Sequence, residues 1–63
     1  MKLLTINRSR ANDLPVSIPV HHVTAIEAAD NGTCFVYIIT GESYHTNQSY
    51  EGVLKLWNHL TGN

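Results

Sequence analysis

Six consecutive residues, Cys34-Phe35-Val36-Tyr37-Ile38-Ile39, constrain the fold more than any other stretch of this chain. β-branched and aromatic side chains dominate them, which suits a pleated strand. Successive side chains of a strand point to opposite faces, so this strand is apolar on both. A strand of that kind needs cover on both sides. It lies within a longer unit, Val16 to Thr46, that reads as a β-meander. Asp30-Asn31-Gly32 marks the turn before it, because Asn-Gly tolerates the positive φ of tight hairpins. Thr40-Gly41-Glu42 marks the hairpin turn after it.

Upstream, Val16, Ile18 and Val20 alternate with Ser17 and Pro19, the period of a half-buried strand. The parity then slips before Val23 and Ile26. A single helical turn at Pro19-Val20-His21-His22, with Pro19 at its start, absorbs the slip. Leu3, Leu4 and Ile6 suggest a short first strand. Residues 8–15 lack periodicity and carry Asn12-Asp13 turn chemistry, so they are expected to form a mobile loop. Downstream, Val53, Leu54, Trp57 and Leu60 recur at helical spacing. Ser49 is the expected N-cap of a helix from Tyr50 to Leu60, with Glu51 in the first turn facing its positive end. Gly52 costs about 1 kcal/mol in a helix relative to alanine. Close approach of another backbone would explain it, as would tolerance in the first turn. The expectation is an α+β fold: a small antiparallel β-meander of three or four strands with one C-terminal helix packed on it, in a single domain over residues 1–63.

A chain of 63 residues buries only roughly 60% of its unfolded surface, so a lone core is marginal. Small domains add disulfides, a metal or a partner chain. Cys34 is the only cysteine, which excludes an internal disulfide. Self-association remains. One helix covers one face of the central strand, and Phe35, Tyr37 and Ile39 are the expected oligomer interface on the other. The net charge is −1 with four Lys and Arg against five Asp and Glu. Such a sparse set offers no basic stripe to neutralise several phosphates, so nucleic-acid binding is not favoured. No apolar run is long enough to span a membrane, and the opening Leu3-Leu4 is too short for a signal-peptide core. A single cysteine within a strand suits a reducing cytoplasm.

Two resemblances follow from these elements. The run from Ile18 to Asn31, then Val36 to Thr46, then Ser49, resembles the first half of LytTR-type DNA-binding domains. In that family a strand ending Ile-Glu-Ala precedes a hairpin and a helix, as Ile26-Glu27-Ala28 does here. Polar residues after that strand lie near DNA in the family, and Asp30 and Asn31 occupy comparable positions. Gly32 stands where an aromatic residue often follows. The chain is also similar to FlbD-like small flagellar proteins, through the opening Leu4-Thr5-Ile6-Asn7, the Ile26-Glu27 strand end and the hairpin Thr40-Gly41-Glu42-Ser43-Tyr44.

Among chemistry-bearing residues, the four histidines lack metal-ligand spacing. Zinc needs ligands converging at about 2.0–2.3 Å, and adjacent His21 and His22 diverge in any regular backbone. They read as surface or interface residues, and no metal or cofactor is expected. Cys34 with His45 on a neighbouring strand could form a nucleophile and its base, but the thiol sits in the most apolar strand and reads as structural. Glu27, Asp30 and Glu42 are not fixed opposite one another. Trp57 and Tyr50 read as core. Arg8-Ser9-Arg10 is the only local positive cluster. Arg8 and Arg10, with Asn31 added through the resemblance, are the candidate ligand-binding residues.

The functional expectation is a non-enzymatic binding module of bacterial or phage origin, acting as a homo-oligomer in the cytoplasm. Its partner would be a host or regulatory protein, or a small anionic ligand sequestered at a subunit interface. The alternatives are a truncated LytTR-like transcriptional regulator and, last, a small metal- or thiol-dependent enzyme.

Overall fold

The computed structural model describes residues 2–62. Among these described residues five strands form: β1 (Leu3–Arg8), β2 (Leu14–Pro19), β3 (Val23–Ala28), β4 (Cys34–Ile38) and β5 (Ser43–Thr46). One helix, α1 (Tyr50–Leu60), follows them. The α+β class is as expected, but the strands divide between two antiparallel sheets, β1-β2 and β3-β4-β5, instead of sharing one. The division falls at the predicted helical turn. Pro19 fixes φ at −55°, and the 3₁₀ turn Val20–His22 redirects the chain from the first sheet to the second.

The first hairpin is longer than its sequence suggests. β1 and β2 pair from Leu3 opposite Pro19 through to Arg8 opposite Leu14. Arg8, Leu14 and Pro15 are therefore strand residues, and the expected loop 8–15 contracts to residues 9–13. That turn is closed by backbone bonds from Ala11 and Asp13 to the Arg8 carbonyl, each 3.1 Å. Asn12 and Asp13 both adopt positive φ, 54° and 59°, a region that Asn and Asp enter more readily than other side chains. Pro15 and Pro19 fit because β2 is paired only on its β1 side.

In the second sheet, Val36 lies between Ile26 and Tyr44, while Phe35 lies between Glu27 and His45. The meander thus has an inner face and an outer one. The inner face carries Cys34 and Val36, both fully shielded. Leu4 and Ile6 of β1, Ile18 of β2, Val20 and Val53 of α1 complete the same buried core. The cover over the inner face is therefore shared by the two-stranded sheet and the helix, not supplied by the helix alone. Trp57 is half-buried on this core, and its indole N–H donates to the Val20 carbonyl at 3.1 Å.

The two sheets are tied at the β1–β5 corner. Ser9 N–H donates to the His45 carbonyl at 2.9 Å, and Asn7 N–H donates to Gln48 Oε1 at 3.1 Å. The same Gln48 oxygen accepts from the hydroxyl of buried Thr46 at 3.2 Å. The helix begins as expected. Ser49 Oγ accepts from Gly52 N–H at 3.1 Å, the bond that satisfies an orphan first-turn donor. Gly52 owes its identity to this cap, because a Cβ there would lie 2.9 Å from Ser49 Oγ. No approaching backbone is required.

Candidate ligand-binding face

His45 organises the outer face. Its position follows from the hairpin register, which sets it directly across from Phe35. The ring is held at both nitrogens. Nδ1 lies 2.5 Å from Ser9 Oγ, and Nε2 lies 3.0 Å from Thr33 Oγ1. Ser9 Oγ also donates to the His45 carbonyl at 3.2 Å, and Thr33 Oγ1 donates to the Asp30 carbonyl at 2.8 Å. Each hydroxyl has a single hydrogen. The tautomer of the ring sets which nitrogen donates and which accepts, and both stay within hydrogen-bond distance of a hydroxyl. The imidazole thus pins the β1–β2 turn, through Ser9, to the Asp30–Gly32 turn, through Thr33.

A serine against an imidazole is also the beginning of a hydrolytic site. Here the second ring nitrogen meets a hydroxyl instead of the carboxylate that would orient a base. Ser9 Oγ is shared with a backbone carbonyl. These contacts describe a clamp. Cys34 and His45 do not form a pair: Cys34 lies across from Thr46 on the inner face, whereas His45 lies across from Phe35 on the outer one. Burial alone raises the Cys34 thiol above its ordinary value of 9.0, opposite to what a nucleophile needs. His21, His22 and His59 are exposed on the 3₁₀ turn and on the last turn of α1.

Phe35 packs on His45 with ring centroids 4.7 Å apart and on Tyr37 at 6.4 Å. Both aromatic residues are half-buried. Tyr37 donates its hydroxyl to Glu27 Oε1 at 3.0 Å. That bond, with smaller contributions from desolvation and the nearby carboxylate charge, raises the phenol above its ordinary value of 10.0. Ile39 lies past the end of β4 and is 59% exposed. Of the three expected interface residues, Phe35 and Tyr37 share the outer face and Ile39 belongs to the following turn.

Two depressions meet at the Phe35–His45 pair. One, of about 190 Å³, is lined by Arg8, Arg10, Ser43 and Tyr44 together with the two rings. The other, of about 530 Å³, is lined by Asp30, Asn31, Thr33 and Asn47 with the same two rings. The fold therefore brings Arg8 and Arg10 to one side of Phe35 and Asn31 to the other. Arg8 is steadied by a long bond from Nε to the Leu14 carbonyl, 3.4 Å. Asn47 is held by its amide N–H₂ to Asp13 Oδ1 at 3.2 Å. Ser9, Thr33 and Asn47 carry no site signal in the sequence, and His45 enters there only as a possible base for Cys34. The signal for His45 was present, since a hairpin centred on Thr40 places residues 35 and 45 opposite each other. A separate groove of about 230 Å³ between β3 and α1, lined by Val23, Ile26, Leu54 and Trp57, offers few polar groups.

No protein family, curated protein or solved structure matches the chain. No helix among the described residues is long and apolar enough to cross a membrane.

Proposed function

We propose that this chain is a non-enzymatic binding module that holds a small anionic ligand on the outer face of its three-stranded sheet, as a homo-oligomer. One observation carries the reading: Arg8, at the end of β1, and Arg10, in the turn after it, line the same depression as Phe35 and His45. Two guanidiniums beside a half-buried aromatic ring supply charge, directional donors and an apolar floor together. The outer aromatic row, Phe35 and Tyr37, is also the surface a second copy would cover, so ligand and partner would meet at one place. Bacterial or phage origin and a cytoplasmic setting belong to this proposal. In a reducing compartment the lone Cys34 stays a thiol.

The test is thermal unfolding of the full chain with inorganic pyrophosphate, paired with light scattering. A ligand at one hundred times its Kd stabilises by about 2.7 kcal/mol, which moves the transition of a domain this small by roughly 10 °C or more. The shift should disappear in the Arg8→Ala/Arg10→Ala double variant. A shift that survives the double variant, or a scattering mass equal to the 7.0 kDa of one chain, overturns the corresponding half of the proposal. Salt-sensitive binding to duplex DNA, with none to pyrophosphate, would favour the regulator reading.

A further inference from the structure

Resting on that anion-binding reading, we infer that the ligand is a nucleotide lying across the Phe35–His45 pair, its phosphate at Arg8 and Arg10 and its base toward Asn31 and Asn47. The argument is the polarity of the face. At one end the lining is cationic. In the middle stand two rings tilted at 38° with centroids 4.7 Å apart. At the far end the lining changes to a carboxylate, two amides and a hydroxyl: Asp30, Asn31, Asn47 and Thr33. A second phosphate is repelled there by Asp30. A neutral base edge, which both donates and accepts hydrogen bonds, is matched by amides on one side and a carboxylate on the other.

The middle of the face supports the same assignment. A base presents a π surface, and aromatic stacking holds it whatever its identity. Phe35 is half-buried and is fixed from beneath by its strand and from the side by the His45 ring, which is itself clamped at both nitrogens. A platform anchored in this way loses little freedom when a base settles on it. Asp30 adds a preference. Its carboxylate accepts hydrogen bonds, and guanine carries adjacent N–H donors on its edge. GMP is therefore the probe of choice.

Calorimetric titration of the full chain with GMP, ribose 5-phosphate and inorganic phosphate tests the inference. GMP should bind more tightly than ribose 5-phosphate by roughly 5- to 150-fold, the span of one base stacking on an aromatic ring. Phe35→Leu keeps an apolar floor but removes the stacking surface, so it should abolish that advantage while ribose 5-phosphate still binds, which also shows that the variant is folded. Asn31→Ala/Asn47→Ala should reduce the GMP advantage without touching ribose 5-phosphate. Equal affinity for GMP and ribose 5-phosphate overturns the nucleotide assignment while leaving an anion site in place. Binding of none of the three overturns both the assignment and the reading on which it rests.

Discussion

Along β4, Cys34 and Val36 are fully shielded, whereas their immediate neighbours Phe35 and Tyr37 stand on a face that the chain leaves half open. All four are apolar or aromatic, and a sequence pattern treats them alike. The difference lies in what stands across from them. Val36 is flanked by Ile26 and Tyr44, while Phe35 is flanked by Glu27 and His45. Inside, Cys34 and Val36 belong to a core to which both sheets and the helix contribute. Outside, the cross-strand neighbours Ala25, Glu27, Ser43 and His45 are short, charged or hydrogen-bonding, and two arginines arrive, Arg8 from the end of β1 and Arg10 from the turn after it. One strand packs the core on one side and, in the proposed reading, recognises a ligand on the other, and the alternation of strand side chains keeps the two faces apart.

The comparison breaks most readily by truncating one residue on each side. Leu4 is wholly buried in the core, and its replacement by alanine should cost about 2–5 kcal/mol. A chain this size has roughly 3–9 kcal/mol in total, so Leu4→Ala should be largely unfolded at 37 °C or show a steeply lowered urea midpoint. Phe35→Ala should cost only about 1–2 kcal/mol, because the ring is already half in water. It should keep its circular dichroism while losing self-association and the GMP advantage. Equal destabilisation by the two substitutions would mean that the faces are not functionally distinct.

Much of this architecture was legible in the sequence. Period-2 alternation marked the strands, the parity slip at Val20 marked the 3₁₀ turn, and Ser49 with the Val53–Leu60 stripe marked the helix. The partition into two sheets was not legible, because it depends on where the chain travels after Pro19. Local pattern contains no such information. The extension of β1 and β2 over Arg8 and Leu14 was hidden for a related reason. Arg8 is charged and Leu14 follows the Asn12-Asp13 turn signal directly, so although Leu14 is in phase with Val16 and Ile18, it is cross-strand pairing that makes both residues strand. The site was half legible. Arg8, Arg10 and Phe35 were each identified, but for separate roles, and only the tertiary corner joining Ser9 to His45 brings them to one depression.

That corner gives the next and smaller effect. Ser9→Ala removes the hydroxyl that meets Nδ1 and the carbonyl of His45. The expected loss is about 0.5–1.5 kcal/mol, with the backbone bond from Ser9 N–H retained. Since the clamp orients the turn that carries Arg10, pyrophosphate binding should weaken by more than the stability loss alone implies. Unchanged affinity would show that the arginines act without the clamp.

The two faces also differ in how they treat protons, and this is the finest test. Cys34 and Tyr37 both hold their protons above the ordinary range, but for different reasons: burial for the thiol, the Glu27 hydrogen bond first for the phenol. For Cys34 the linkage has a definite sign. The folded chain retains the thiol proton at a pH where the unfolded chain has lost it, so its contribution is intact below the ordinary value of 9.0 and declines as pH rises beyond it. Cys34→Ala should flatten that alkaline decline in urea midpoints. Tyr37 is solvent-exposed at its hydroxyl, so its signature is spectroscopic. The phenolate absorbance assigned by difference from Tyr37→Phe should appear above the ordinary value of 10.0 and fall back toward it in Glu27→Gln, where the carboxylate charge is gone. Glu27→Gln should leave the Cys34 behaviour untouched, because Glu27 lies across from Phe35 on the outer face. A variant that moved both titrations together would join the two environments that β4 otherwise separates.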